Sequence, residues 1–170
     1  GDLNGDGFCD VASGAYYYNL GLGRAYVHFG SSDMDNIPDV IMTGVLFDDN
    51  GLGVCIAGAG DVNNDGYDDL IAGDGYTNYI GKAKLYYGGA NMDNVADKVF
   101  IGESNHDWFA GWGSEVSRAG DINGDGYGEI IIGAHGYANG KAYVYFGGDN
   151  MDTDADLTFN GEDGYGNFGF

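Results

Sequence analysis

Short apolar runs recur along this chain, each opened by an acid and closed near a glycine. They are Asp10-Val11-Ala12-Ser13, Asp69-Leu70-Ile71-Ala72 and Glu129-Ile130-Ile131-Ile132. Runs of this length with a glycine turn behind them suit a strand buried on both faces. Behind each run comes a segment of period two, clearest in Lys141-Ala142-Tyr143-Val144-Tyr145-Phe146, which predicts a strand with two unlike faces. Further strands are predicted at Val40–Thr43, Lys98–Ile101 and Leu157–Asn160, and ahead of the runs at Leu52–Ala57 and Trp112–Ser117.

These strands sit inside an internal repeat, the signature of a repeat architecture. GDLNGDGFCDVASGA from Gly1 aligns with GDVNNDGYDDLIAGD from Gly60 and GDINGDGYGEIIIGA from Gly120, at offsets of 59 and 60 residues. GRAYVHFGS from Gly23, GKAKLYYGG from Gly81 and GKAYVYFGG from Gly140 follow in register, and then SDMDNIPD, ANMDNVAD and DNMDTDAD. The predicted fold is therefore all-β: about three four-stranded units stacked radially as β-propeller blades. A β-solenoid competes, but its repeats are shorter. The units run approximately over 1–50, 51–110 and 111–167, with 168–170 opening a further unit of a larger propeller or repeat array.

The turn between the first two strands of each unit carries the candidate chemistry, in the pattern D-x-N-x-D-G-x-x-[DE]. Side-chain ligands are expected from Asp2, Asn4, Asp6 and Asp10, from Asp61, Asn63, Asp65 and Asp69, and from Asp121, Asn123, Asp125 and Glu129. Backbone carbonyls would come from Phe8, Tyr67 and Tyr127. Calcium takes six to eight oxygens, and ligands at positions 1, 3 and 5 wrap a tight turn around one ion. The glycine at position 6 (Gly7, Gly66, Gly126) permits the backbone reversal that a Cβ resists. An EF-hand is excluded: its bidentate Glu at position 12 is replaced by Ser13, Ala72 and Ile132, and the flanks are strand-like.

The loops, the pairs Leu52-Gly53, Trp112-Gly113 and Phe168-Gly169, and the apolar-Gly-Ala run after each loop resemble FG-GAP repeats of integrin α propellers and of secreted microbial proteins. The resemblance covers the whole chain. It implies about three Ca²⁺ sites, an extracellular or cell-surface setting, and roles in adhesion or surface structure. Leu52 and Trp112 depart from the usual Phe. Cys9 and Gly128 stand where the second copy has Asp68, so that position is not a required ligand.

Composition narrows the function classes. The net charge is −21, from 27 acidic and six basic residues. Nucleic acid is excluded as a partner because phosphate binding requires clustered Lys and Arg. No apolar run is long enough for membrane insertion. The 34 glycines disfavour helices, while 14 Tyr and 9 Phe argue against disorder. Nine acids lie in the three loops, so three bound Ca²⁺ would leave the charge near −15 and the surface still acidic. Calcium is expected as a structural staple, filled at extracellular concentrations of roughly 10⁻⁴ to 10⁻³ M.

No catalytic constellation stands out, and the chain is not expected to be an enzyme. His28, His106 and His135 fall at three different repeat positions, and no nucleophile elbow is present. Arg24, Lys82 and Lys141 share one position and are expected to form a charge pair within each blade. Tyr16, Tyr17, Tyr18, Trp108 and Trp112 are expected to pack between blades, and Met34, Met92 and Met151 beneath the Met-Asp turns. A Cys9–Cys55 disulfide is left open. The expected function is an extracellular calcium-stabilised scaffold or adhesion module, with a protein or glycan ligand or self-association through further repeats. A surface filament or layer, or the carbohydrate-binding part of a secreted enzyme, is the alternative.

Overall fold

Eleven strands form three consecutive antiparallel meanders in the computed structural model, described over residues 1–45, 50–75, 80–104, 107–111, 115–136, 139–162 and 168–169. The first sheet holds β1 (Val11–Gly14), β2 (Arg24–His28) and β3 (Val40–Thr43). The second holds β4 (Leu52–Gly60), β5 (Asp69–Asp74), β6 (Lys82–Tyr86) and β7 (Lys98–Ile101). The third holds β8 (Val116–Gly120), β9 (Glu129–Ala134), β10 (Lys141–Tyr145) and β11 (Leu157–Asn160). Strands lie side by side in chain order in every sheet, as propeller blades require.

The hydrophobic core lies between blades. Leu70 and Ala72 of β5 join Val27, Met42, Leu3 and Leu52 in one cluster. Ile71, the residue between them, points the other way and joins Phe100, Val62, Ile130 and Ile132 in a second cluster. Successive side chains of a strand point to opposite faces, so an unbroken apolar run is what a strand between two neighbours needs. At β1 the same kind of run is uncovered: Val11 is 52% exposed, whereas its counterparts Leu70 and Ile130 are buried. The first sheet has three strands among the described residues, not four, and no described residue covers Val11 of β1 as its counterparts are covered.

The methionines report the same polarity. Met151 is buried in the cluster shared with the second blade and Met92 packs on the cluster shared with the first, but Met34 is exposed.

In the third unit a pair other than the one read from spacing makes the inter-blade contact. Leu52 forms a parallel bridge with Gly23, and Phe168 forms one with Gly140. The equivalent glycine, Gly81, abuts Phe109, whose N–H donates to the Ile80 carbonyl at 3.1 Å. Phe109-Ala110 therefore holds the place of Leu52-Gly53 and Phe168-Gly169. Trp112-Gly113, the pair expected from spacing, lies outside the described residues, as do Ser114 of the expected first strand, His106 and Phe170. Ala110 takes φ +48, in the region where Gly53 and Gly169 sit at +84 and +87. The first strand of the second blade runs on to Gly60, with a register irregularity between Leu52 and Ile56.

Other expectations fall differently. Lys141 pairs with Glu103, which follows the last strand of the preceding blade, so this ion pair bridges blades and is not internal to one. Among the described residues Arg24 is paired with no carboxylate: its Nε donates to Thr43 Oγ1 at 2.9 Å and its guanidinium lies over the Tyr18 ring at 3.7 Å. Tyr16, Tyr17 and Tyr18 are exposed on the connection after β1, not between blades. Trp108 is half-buried and stacks on His135. Cys9 and Cys55 are both free thiols.

Candidate metal centre

Each acidic loop is wound around its first aspartate. Asp2 Oδ1 accepts from the N–H groups of Gly5 and Asp6 at 2.8 and 3.1 Å, and Oδ2 from Gly7 at 2.9 Å. Asp61 likewise accepts from Asp65 and Gly66, and Asp121 from Gly124, Asp125 and Gly126. The amide of position 3 then clasps position 5: Asn4 Nδ2 donates to Asp6, Asn63 to Asp65, and Asn123 to Asp125. Position 5 accepts the N–H of position 7, at Phe8, Tyr67 and Tyr127. The glycines at position 6 take φ from +89 to +95, which a Cβ would strain. Oxygen atoms of positions 1, 3 and 5 are thus gathered at one turn.

The acid at position 9 is placed differently. It stands at the start of the strand that follows the loop and brackets the loop to the sheet. Asp10 accepts from Leu3 N–H at 2.6 Å and from Gly30 N–H at 2.7 Å. Asp69 accepts from Val62 and Gly88 N–H, both at 2.8 Å. Glu129 accepts from Ile122 N–H through Oε2. Asp69 and Glu129 are fully buried. Burial pushes the Asp69 carboxyl up to about 7, against the two N–H bonds that favour its charge, with Asp65 and Asp61 adding to the rise. Burial also raises Glu129, opposed by the nearby Ile122 and Gly147 N–H groups, and Asp125 and Asp121 push it further the same way.

The three loops differ in how far the acids converge. One carboxylate oxygen each from Asp121, Asp125 and Glu129 lie within 4.8 Å of one another, and this is the one such acidic group among the described residues. Glu129 Oε1 is buried and has no hydrogen-bond partner within bonding distance. An orphaned buried carboxylate oxygen beside two further carboxylates fits a hard divalent cation. In the first two loops both oxygens of Asp10 and Asp69 are taken by backbone N–H groups.

Sequence reasoning missed what ties one loop to the next. Asp68, set aside as a ligand, accepts the Asp2 N–H at 2.8 Å and returns its own N–H to the Asp2 carbonyl at 3.0 Å. Gly128 donates to the Asp61 carbonyl at 2.8 Å in the next pair of blades. The Met-Asp turns also have internal work: Asp39, Asp97 and Asp156 accept from Phe29, Tyr87 and Phe146 N–H, closing the end of the third strand.

Three antiparallel meanders in chain order, each with an acidic loop ahead of its apolar-run strand, are blades of the β-propeller class. Residues 112–145 match the FG-GAP repeat family. Integrin alpha-6 of Gallus gallus is 38% identical over 140 residues, which is 78% of this chain. Integrin alpha-5 of Xenopus laevis is 28% identical over 155 residues, or 79% of the chain, and integrin alpha-6 of Homo sapiens 29% over 140 residues, or 78%. The chain spans only 12% to 14% of the length of these relatives. Within the propeller class this chain belongs to the FG-GAP repeat family, in its integrin α-like form. No helix among the described residues is long and apolar enough to cross a membrane.

Proposed function

We propose that this chain is a calcium-stapled segment of FG-GAP blades that works outside the cell as an adhesion scaffold, with no catalysis of its own. The observation that carries the reading is the grouping of one oxygen each from Asp121, Asp125 and Glu129 within 4.8 Å, in a site where Glu129 also keeps a buried, unpartnered Oε1. Positions 1, 3, 5 and 9 of each loop, with the carbonyls of Phe8, Tyr67 and Tyr127, would hold one ion apiece. What the ion supplies is charge neutralisation: it would offset the repulsion among carboxylates at each turn and hold the loop against the strand it precedes. Because the first loop is hydrogen-bonded to the second blade through Asp68 and the second loop to the third blade through Gly128, fixing these loops also fixes blade against blade.

The adhesion role rests on likeness to integrin α chains, whose partners and ligands are those of much longer proteins. Further blades at both ends fit the uncovered faces: Ile122 is 53% exposed where Leu3 and Val62 are 4% and 0%. The three sheets are proposed as units of a larger propeller or array.

The test is a calcium titration followed by circular dichroism and light scattering, with EDTA reversal. Gain of β structure and thermal stability between about 0.1 and 1 mM calcium is expected. A parallel rise in scattering would favour a self-assembling array. Structure and stability indifferent to calcium and EDTA alike would sink the reading.

A further inference from the structure

We propose that the three acidic loops are unequal calcium sites, that the third fills first, and that Glu129 at position 9 sets this order. The inference rests on the calcium reading above and adds to it a rank among the sites and the residue that decides it.

The argument is a comparison between copies of one motif within one chain. In the first loop the position-9 acid is Asp10, with one oxygen on Leu3 N–H and the other on Gly30 N–H. In the second it is Asp69, divided in the same way between Val62 and Gly88. These two carboxylates are already satisfied by the backbone, and neither forms a tight acidic group with positions 1 and 5. In the third loop the side chain is longer by one methylene. Its Oε2 still takes the N–H of position 2, at Ile122, so the bracket to the loop is kept. Its Oε1 is left over, buried and without a partner, in a residue grouped with Asp121 and Asp125 within 4.8 Å.

That leftover oxygen changes the energetics of loading. A buried polar atom with no hydrogen bond raises the free energy of the metal-free protein, and a cation that takes it as a ligand removes the penalty. The unmet oxygen of a buried carboxylate therefore favours binding at the third loop by about tenfold or more over a site whose acid is already bonded. Three oxygens within 4.8 Å also need less rearrangement to close on one ion than those of the first two loops.

Calorimetric titration of calcium into the metal-free protein tests this directly. The expected result is two classes of site, one site binding at least about tenfold more tightly than the rest. Glu129→Asp keeps the charge and the fold but shortens the arm, and is expected to move that site into the weaker class. Terbium luminescence gives a second readout that leaves every side-chain ligand in place. Tyr127 and Tyr67 sit at position 7 of the third and second loops, and Phe8 at that of the first. The earliest phase of sensitised emission should be lost in Tyr127→Phe and kept in Tyr67→Phe. Equal affinities at all sites, or a tight class unaltered by Glu129→Asp, would overturn the ranking and leave calcium binding standing. Absence of any calcium binding would overturn both.

Discussion

Asp69 accepts the backbone N–H of Gly88 at 2.8 Å across the second blade, while its other oxygen holds Val62 N–H at the same distance. One buried carboxylate thereby joins the acidic loop, the second strand and the end of the third. Replacing it by alanine leaves two N–H groups in a water-poor site without acceptors. Each such loss costs about 1–3 kcal/mol. Asp69→Ala should therefore destabilise the protein by about 2–4 kcal/mol in urea unfolding with EDTA present, before any metal effect enters. A loss under about 0.5 kcal/mol would mean that the bracket is not a working part of the fold.

The same residue gives the metal-free protein a pH dependence of unusual sign. Burial raises the Asp69 carboxyl to about 7 from 3.8. The folded state thus keeps this proton to higher pH than the unfolded state does. Its contribution to stability is complete below about pH 4 and is lost as pH rises to about 7, worth at most ~4 kcal/mol by linkage. Stability in EDTA should fall between these limits, and the slope should shrink in Asp69→Asn. The self-repulsion of a chain with net charge −21 acts in the same direction, which is why the variant and not the slope alone is the test. Calcium binding near pH 6 should release a proton, readable as buffer-dependent heat, because a ligating carboxylate must be ionised.

Most of the architecture was legible in the chain, for a definite reason. Val40–Thr43, Lys98–Ile101 and Leu157–Asn160 are strands with the bounds that the pattern predicts. A repeat samples one local solution three times, so an accidental apolar run at one copy is exposed by the other two. Spacing alone does not locate every contact between blades. Trp112 stands eight residues before Gly120, as Leu52 stands before Gly60. The place against Gly81 of the preceding blade is set by backbone contact, and Phe109 fills it. The exposure of Val11 and Met34 was hidden for a related reason: periodicity says that a face is apolar, not that a neighbour covers it. At the site, the type and order of the acids could be read, but not the difference between Glu129 and Asp69, because one methylene changes which atoms remain unbonded.

Close backbone approach between blades gives a third prediction. A Cβ on Gly73 would meet the Ala110 carbonyl oxygen at 2.1 Å and Cys55 Sγ at 2.3 Å. Gly14 and Gly133, at the same repeat position, would meet the Gly53 and Gly169 carbonyls at 2.0 Å. The carbonyl contacts are with main chain, which cannot swing aside as a side chain can. Gly73→Ala should cost about 1–3 kcal/mol or more, seen as a lower urea midpoint at unchanged slope. Gly58, where an added Cβ meets nothing within 4 Å, is the control: Gly58→Ala should be near neutral. Equal effects at the two sites would refute the inter-blade contact.

The two thiols should behave as different reagents, although they lie in matching surroundings of sequence. Cys55 is on β4 between the second and third blades, and its Sγ donates to the Ala110 carbonyl at 3.2 Å. Burial pushes its pKa up to about 12, with Glu115 adding to the rise, so almost no thiolate exists at neutral pH. Cys9 is exposed at the end of the first acidic loop. The thiolate is the nucleophile, so an aromatic disulfide reagent at about pH 8 should modify one equivalent of thiol quickly and the second only on unfolding. Cys9→Ser should remove the fast phase and Cys55→Ser the slow one. The slow phase then becomes a measure of blade opening: its rate should rise in Gly73→Ala, which disturbs the contact beside Cys55, and fall when calcium is added. Two equally fast thiols in the native protein would show that the second and third blades do not pack as described.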